Sequence, residues 1–189
     1  EKKKNIKFSS NLDNINNYEY QITSQNNEDG IINYIFNQLK IDKLNFIEIG
    51  FDYYQNNSLA ILKKCNKGLF IDGDNKKVII LRNVLKLFYP KTKINVQNAL
   101  VDIDNINQIK EQNFNDKEEI DFLSIDVDGI DYYLLKEINF KPKLICIEYN
   151  FWFGKDLSCA VPYEKNYTLD SLSNYVGASL KALTELANS

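Results

Sequence analysis

A chain of 189 residues, 44% hydrophobic and 26% charged, is sized and composed for one globular domain with its own core. Its net charge of −3 argues against a nucleic-acid binder, and no apolar run nears the roughly 20 residues needed to span a bilayer. The absence of histidine removes Ser-His-Asp and Cys-His catalysis and His-ligated zinc, so any proton transfer falls to carboxylates, Tyr, Lys or water.

Residues 1–24 are polar and Asn-rich and are expected to form an extended or poorly ordered lead-in to a single domain over 25–189. The chain starts at Glu1 and has no Met, which suggests a trimmed start. From Asn27 onward, Ile31, Ile32, Ile35, Phe36 and Leu39 recur at helical spacing, with Glu28 and Asp29 at the positive end of the helix dipole. Phe46–Ile49 predicts a short buried strand. Asn57 or Ser58 is placed to cap a helix with Leu59, Leu62 and Cys65 on one face. A second strand, GLFID (Gly68–Asp72), follows.

Val78, Leu81, Leu85 and Phe88 form the next helical stripe, which Pro90 ends. Ile94–Val96 predicts a third strand, and a weaker helix runs near Asn105–Glu111. DFLSID (Asp121–Asp126) predicts a fourth strand and Tyr132–Ile138 a short helix. KLICIEY (Lys143–Tyr149) is a fifth strand whose continuous apolar content suits cover on both faces. An aromatic-rich loop then leads to a last helix carrying Val176, Leu180, Leu183 and Leu186, with Ser171 or Ser173 as its cap. Cys65, Cys146 and Cys159 fit neither a disulfide framework nor a zinc site, and a reducing cytoplasm is the expected compartment.

Alternating strands and helices imply a parallel sheet with helices on both faces, and ligands bind beyond the carboxyl ends of such strands. Those ends carry a biased set of residues. Glu48 and Gly50, then Asp52, close the first strand; Asp72, Gly73 and Asp74 close the second. Asn98-Ala99 follows the third, Asp126, Asp128 and Gly129 the fourth, and Glu148, Tyr149 and Asn150 the fifth. Gly50 permits a tight turn and a close approach to a ligand. Asp72, 22 residues after Gly50, is placed to accept hydrogen bonds from both hydroxyls of a ribose. Asn98 is either a partner for an adenine edge or an ordinary turn residue.

A pyrophosphate needs bare backbone N–H groups at a helix start. Here one glycine is followed by Phe51, Asp52, Tyr53 and Tyr54, so a nicotinamide dinucleotide is disfavoured. S-adenosylmethionine has no phosphate, and its ammonium and sulfonium charges suit carboxylates.

The order FIEIG, FIDGD, NA, DFLSIDVDG resembles the class I S-adenosylmethionine-dependent methyltransferases, and more narrowly their FkbM-like branch. SQNNEDGIINYIF (Ser24–Phe36), DFLSIDVDGIDYYLLK (Asp121–Lys136), IEYN (Ile147–Asn150), CAVPY (Cys159–Tyr163) and YVGASLKALTELA (Tyr175–Ala187) are similar to that branch, from about Gln21 to the last residue. The resemblance implies a Rossmann-like, doubly wound, mostly parallel α/β sheet of order 3-2-1-4-5. It implies S-adenosylmethionine as cofactor and a hydroxyl acceptor, plausibly a saccharide. Glu48 and Gly50 would border the methionine part, Asp72 the ribose, Asn98 the adenine and Asp126 the reacting end. Asp52 and Gly73 complete that cofactor set. Gln25 and Asp29 either touch the cofactor or cap the first helix.

Asp126, Asp128 or Glu148 would serve as the base; alternatively the three would hold a divalent cation that activates the hydroxyl. Asp128 and Asp131 otherwise simply begin a helix. Phe151, Trp152 and Phe153 either stack on a sugar face or belong to the core. The sequence departs from the branch in two ways. Phe51, Tyr53 and Tyr54 occupy the place of a second small residue, and two strands expected after the last helix are missing, which points to C-terminal truncation or to a homodimer covering the open sheet edge. The competing expectation is a degenerate methyltransferase fold serving as a binding or assembly module, with Tyr53 or Tyr54 filling the pocket.

Overall fold

A computed structural model describes residues 14–165 and 176–189. Five parallel strands form one sheet of order β3-β2-β1-β4-β5: β1 (Leu44–Ile49), β2 (Cys65–Asp72), β3 (Ile94–Asn98), β4 (Phe122–Ile125) and β5 (Leu144–Ile147). The helices are α1 (Glu28–Gln38), α2 (Asn75–Phe88), α3 (Ile106–Asn113), α4 (Asp131–Glu137) and α5 (Leu180–Ala187). The expected α/β, Rossmann-like order is therefore present, with the switch point between β1 and β4.

Alternate residues of each strand point to opposite faces, so the sheet divides two apolar clusters. Phe46, Phe70 and Phe122 face α1 and α2, where they meet Phe36, Val78, Leu81 and Leu85. Edge-to-face pairs, Phe36–Phe122 at 5.9 Å and Phe46–Phe70 at 5.0 Å, fill this side. Ile47, Ile49, Ile71, Leu123 and Ile125 face the other way, onto Ile106, Ile109, Leu134 and Leu183 of α3, α4 and α5. Arg82 ties α2 to β3 by donating twice to the Val96 carbonyl, at 2.9 and 2.6 Å.

Several elements differ from the sequence expectation. Leu59–Lys64 is a 3-10 turn rather than an α-helix, and Cys65 belongs to β2. Ile61 and Leu62 are its buried residues, and the chain must re-enter the sheet at once, leaving no room for longer helical spacing. All four residues of β5 are only half-buried, because among the described residues it is the sheet's edge and no strand lies beyond it. The last helix begins at Leu180, where the Ser179 hydroxyl accepts from the N–H of Ala182 at 3.2 Å; Val176 precedes it, and Ser171 and Ser173 lie outside the described residues. Residues 14–24, expected as part of an extended or poorly ordered lead-in, include a 3-10 turn (Ile15–Tyr18) that lies on α1, with Tyr18 stacked on Tyr34 at 3.7 Å.

The acids of β4 sit at opposite ends of the strand. Asp121, at its start, accepts from the Asn45 N–H at 2.8 Å and pairs with Lys143 at 2.6 Å, a structural tie. Asp126 emerges at the other end, where the crossover loops open.

Candidate functional site

A cavity of about 1380 Å³ opens at the carboxyl ends of β1, β2, β4 and β5. Glu48, Gly50, Asp52, Asp72 and Gly73 line it on one side, and Asp126, Asp128 and Glu148 on the other. Gln25 lines it from the segment before α1. Asn98 does not: its side-chain amide donates to the carbonyls of Asp72 and Gly73, at 2.9 and 3.0 Å, and fixes the end of β2 instead. Asp29 is likewise withdrawn. Buried at the start of α1, it accepts through Oδ2 from the N–H groups of Ile22, Thr23 and Ser24, at 2.6, 2.7 and 2.9 Å. Its role is to hold the segment that carries Gln25 over the cavity.

Gly50 has φ of +76°, and a Cβ there would lie 1.7 Å from the carbonyl oxygen of Asp126. The close approach that requires glycine is thus to the neighbouring β4 backbone. Phe51 turns inward and packs edge-to-face on Phe70 at 5.6 Å, whereas Tyr53 and Tyr54 point outward, Tyr54 being 88% exposed. Neither tyrosine lines the cavity, so the mark expected of a plugged, degenerate pocket is not present. The loop also leads into a 3-10 turn, so no α-helix begins directly after β1, where a dinucleotide's pyrophosphate would sit.

Asp72 accepts from the N–H of Phe51 at 3.2 Å and of Asp74 at 2.6 Å, and faces Lys77 at 3.6 Å. A carboxylate has about four lone-pair sites, so acceptor capacity remains for a ligand's hydroxyls. Lys77 also reaches Asp52 at 3.8 Å.

Glu48 is 1% exposed. Its Oε1 accepts from the Asn57 N–H at 2.8 Å, while Oε2 is buried without a hydrogen-bond partner among the described residues. Burial pushes its pKa from 4.5 to about 7, opposed by the nearby Ser58 and by the Asn57 N–H that it accepts from. Because the folded state then holds the proton more tightly than the unfolded chain, stability is full below the unfolded pKa and is lost as pH rises from about 4.5 to about 7. Glu48→Gln keeps the shape without the charge. Relative to the native chain, it is expected to gain up to about 3 kcal/mol of unfolding free energy across that window. Denaturant titrations at several pH values measure this, and parallel curves for the two proteins would contradict it.

Asp126, Asp128 and Glu148 each offer a carboxylate oxygen within 4.8 Å of the others, in a group that solvent reaches. Burial against the cleft wall, then the charges of Asp131 and Asp128, raise Asp126 to about 6. Burial, then Asp126 and its acidic neighbours, raise Glu148 to about 7. The turn between β4 and α4 is fixed by Asp131, whose carboxylate accepts from the N–H groups of Val127 and Gly129, both at 3.0 Å. Asp128 sits in the left-handed region at φ +57°, which turns it away from α4. Of the two acids that one reading had beginning the helix, Asp131 does so and Asp128 does not.

Sequence reasoning missed Lys77, Asp102 and Lys165, which also line the cavity, and the positioning role of Asp131. Only the spacing of Asp131 from the DVDG turn hinted at its part. Among the described residues, ten acidic side chains and two lysines line the cavity. Both lysines are ion-paired, Lys77 with Asp52 and Asp72, and Lys165 with Asp102 and Asp104.

Neither a scan against protein-family models nor a search of curated proteins finds a match to this chain.

Proposed function

We propose that this chain is an S-adenosylmethionine-dependent methyltransferase that methylates a hydroxyl acceptor. The observation that carries this reading is the cavity at the β1/β4 switch point. It combines a free-capacity carboxylate at Asp72, a buried unpartnered oxygen on Glu48 and a cluster of carboxylates at Asp126, Asp128 and Glu148. The first suits ribose hydroxyls, the second an ammonium group, and the third the reacting end.

When bound, the cofactor supplies an electrophilic methyl group for in-line displacement. The protein's residues then position and deprotonate. Asp72 and Lys77 fix the ribose end, and the outward turn of Tyr53 and Tyr54 leaves the approach clear. Asp126 and Glu148, both raised toward neutrality, are matched to take a hydroxyl proton near pH 7. Alignment of the two reactants supplies most of the acceleration. A second reading of the same cluster gives its three carboxylates to a hard divalent cation, since their oxygens lie close enough to share one.

The test is calorimetric titration with S-adenosylmethionine. The native chain is expected to bind, and Asp72→Ala to weaken binding by about 10²-fold, the worth of two charge-assisted hydrogen bonds. The absence of binding by the native chain at millimolar cofactor would remove the reading.

A further inference from the structure

The cavity's open rim carries a feature that cofactor binding does not use. After β5, Phe151–Phe153 forms a 3-10 turn, and both Phe151 and Trp152 are 65% exposed. Their rings lie 4.8 Å apart at an angle of 31°, making a shallow shelf, and Phe151 lines the cavity beside Tyr149 and Glu148. The shelf is held in place. Asn150, 6% exposed, accepts from the Trp152 N–H at 2.9 Å and donates to the Val176 carbonyl at 3.0 Å, while its own N–H donates to the Ala178 carbonyl at 2.8 Å. Two large aromatic side chains fixed in water forgo the hydrophobic stabilisation that burial would give, which marks a binding surface.

The charge around the shelf selects its ligand. Among the described residues that line the cavity, ten acids stand against two lysines, and each lysine is already ion-paired. Aromatic faces beside carboxylates favour an organic cation, attracted by the ring quadrupole on one side and by charge on the other. A flat shelf two rings wide also suits the apolar face of a saturated ring.

We propose that the rim is an acceptor subsite for a ring-shaped polyol bearing a protonated amine, an amino sugar being the type. Phe151 and Trp152 stack on its face, and Asp128 holds the ammonium, leaving Asp126 and Glu148 to take the hydroxyl proton. This assignment rests on the reading that the deeper part of the cavity takes the methyl donor; the amine anchors the molecule and leaves a hydroxyl for transfer. A uronic acid or phosphorylated sugar meets the like charge of Asp128 and its neighbouring carboxylates there.

Trp152 is the chain's one tryptophan, so its fluorescence reports the shelf directly and without turnover. The experiment titrates the full chain, near neutral pH, with glucosamine, glucose and glucuronate, three probes sharing one ring. Glucosamine is expected to bind roughly tenfold or more tightly than glucose, with an advantage that shrinks in high salt, and glucuronate to bind least. Phe151→Ala is expected to weaken glucosamine by about tenfold while calorimetric binding of S-adenosylmethionine stays unchanged. Equal response to all three probes, no response to any, or indifference to Phe151→Ala would overturn the proposal. If S-adenosylmethionine fails to bind but the charge preference holds, the methyltransferase reading falls and the amine subsite stands. The reverse result removes the subsite alone.

Discussion

Gly50→Ala is expected to be the most destabilising single methyl in this protein, lowering unfolding free energy by roughly 3–5 kcal/mol. Two penalties coincide. The residue sits at φ +76°, where an L side chain is strained, and its new Cβ would lie 1.7 Å from the Asp126 carbonyl oxygen and 2.7 Å from its carbon. That neighbour is backbone directly following β4, so it cannot rotate away as a side chain could. Relief requires β1 and β4 to part where the Asp126 N–H donates to the Ile49 carbonyl at 2.9 Å. Gly154→Ala separates the two penalties: φ is +67° and ψ −171°, a region essentially reserved for glycine, but no atom lies within 4 Å of the added carbon, so only backbone strain of about 1–3 kcal/mol applies. Chemical denaturation of both variants measures the difference. Equal losses would show that the contact with β4 is not what requires glycine at position 50.

Glu148→Gln is expected to lower kcat by about 10²–10³-fold while leaving cofactor affinity within a few fold, as befits loss of a base. The pH profile gives the sharper result. In the native protein the pair must lose its shared proton before it accepts another, so kcat is expected to rise with pH through about 6 to 7, the values of Asp126 and Glu148. In Glu148→Gln the limb of the residual activity is left to Asp126 alone, near about 6, and so moves to lower pH. The same sign of argument covers Asp126→Asn, which lowers Glu148. An unchanged profile in both variants would assign proton transfer elsewhere. If added magnesium restores the native chain but not the variants, the cluster acts by holding a cation.

How much of this was legible beforehand can be judged residue by residue. The alternation of strands and helices, and the placing of Glu48, Asp72, Asp126 and Glu148 at strand ends, follow from local periodicity and from where apolar runs stop. Chain-local signals of that kind survive folding because the buried faces they specify are the ones the sheet needs. Where local signal and tertiary demand conflict, the sequence misleads. Leu59, Leu62 and Cys65 share a helical spacing, yet β2 claims Cys65 and shortens the helix to a 3-10 turn. KLICIEY has the composition of a strand covered on both sides, yet β5 lies at an edge and is half-buried.

The candidate site shows the same division. The sequence by itself determined that acids would crowd the carboxyl end of a parallel sheet and that a glycine would stand at the first turn. It could not tell Asp121 from Asp126, although the first is locked to Lys143 at one end of β4 and the second opens into the cavity at the other. Nor could it tell that Asn98 spends its amide on two backbone carbonyls, that Asp29 caps a folded-over segment, or that Tyr53 and Tyr54 face away. Those outcomes depend on distance and direction between elements far apart in the chain, set by strand register and the hand of each crossover. Only the tertiary structure brought Asp126, Asp128 and Glu148 within 4.8 Å of one another and showed that the space Gly50 leaves free is taken by the protein's own backbone.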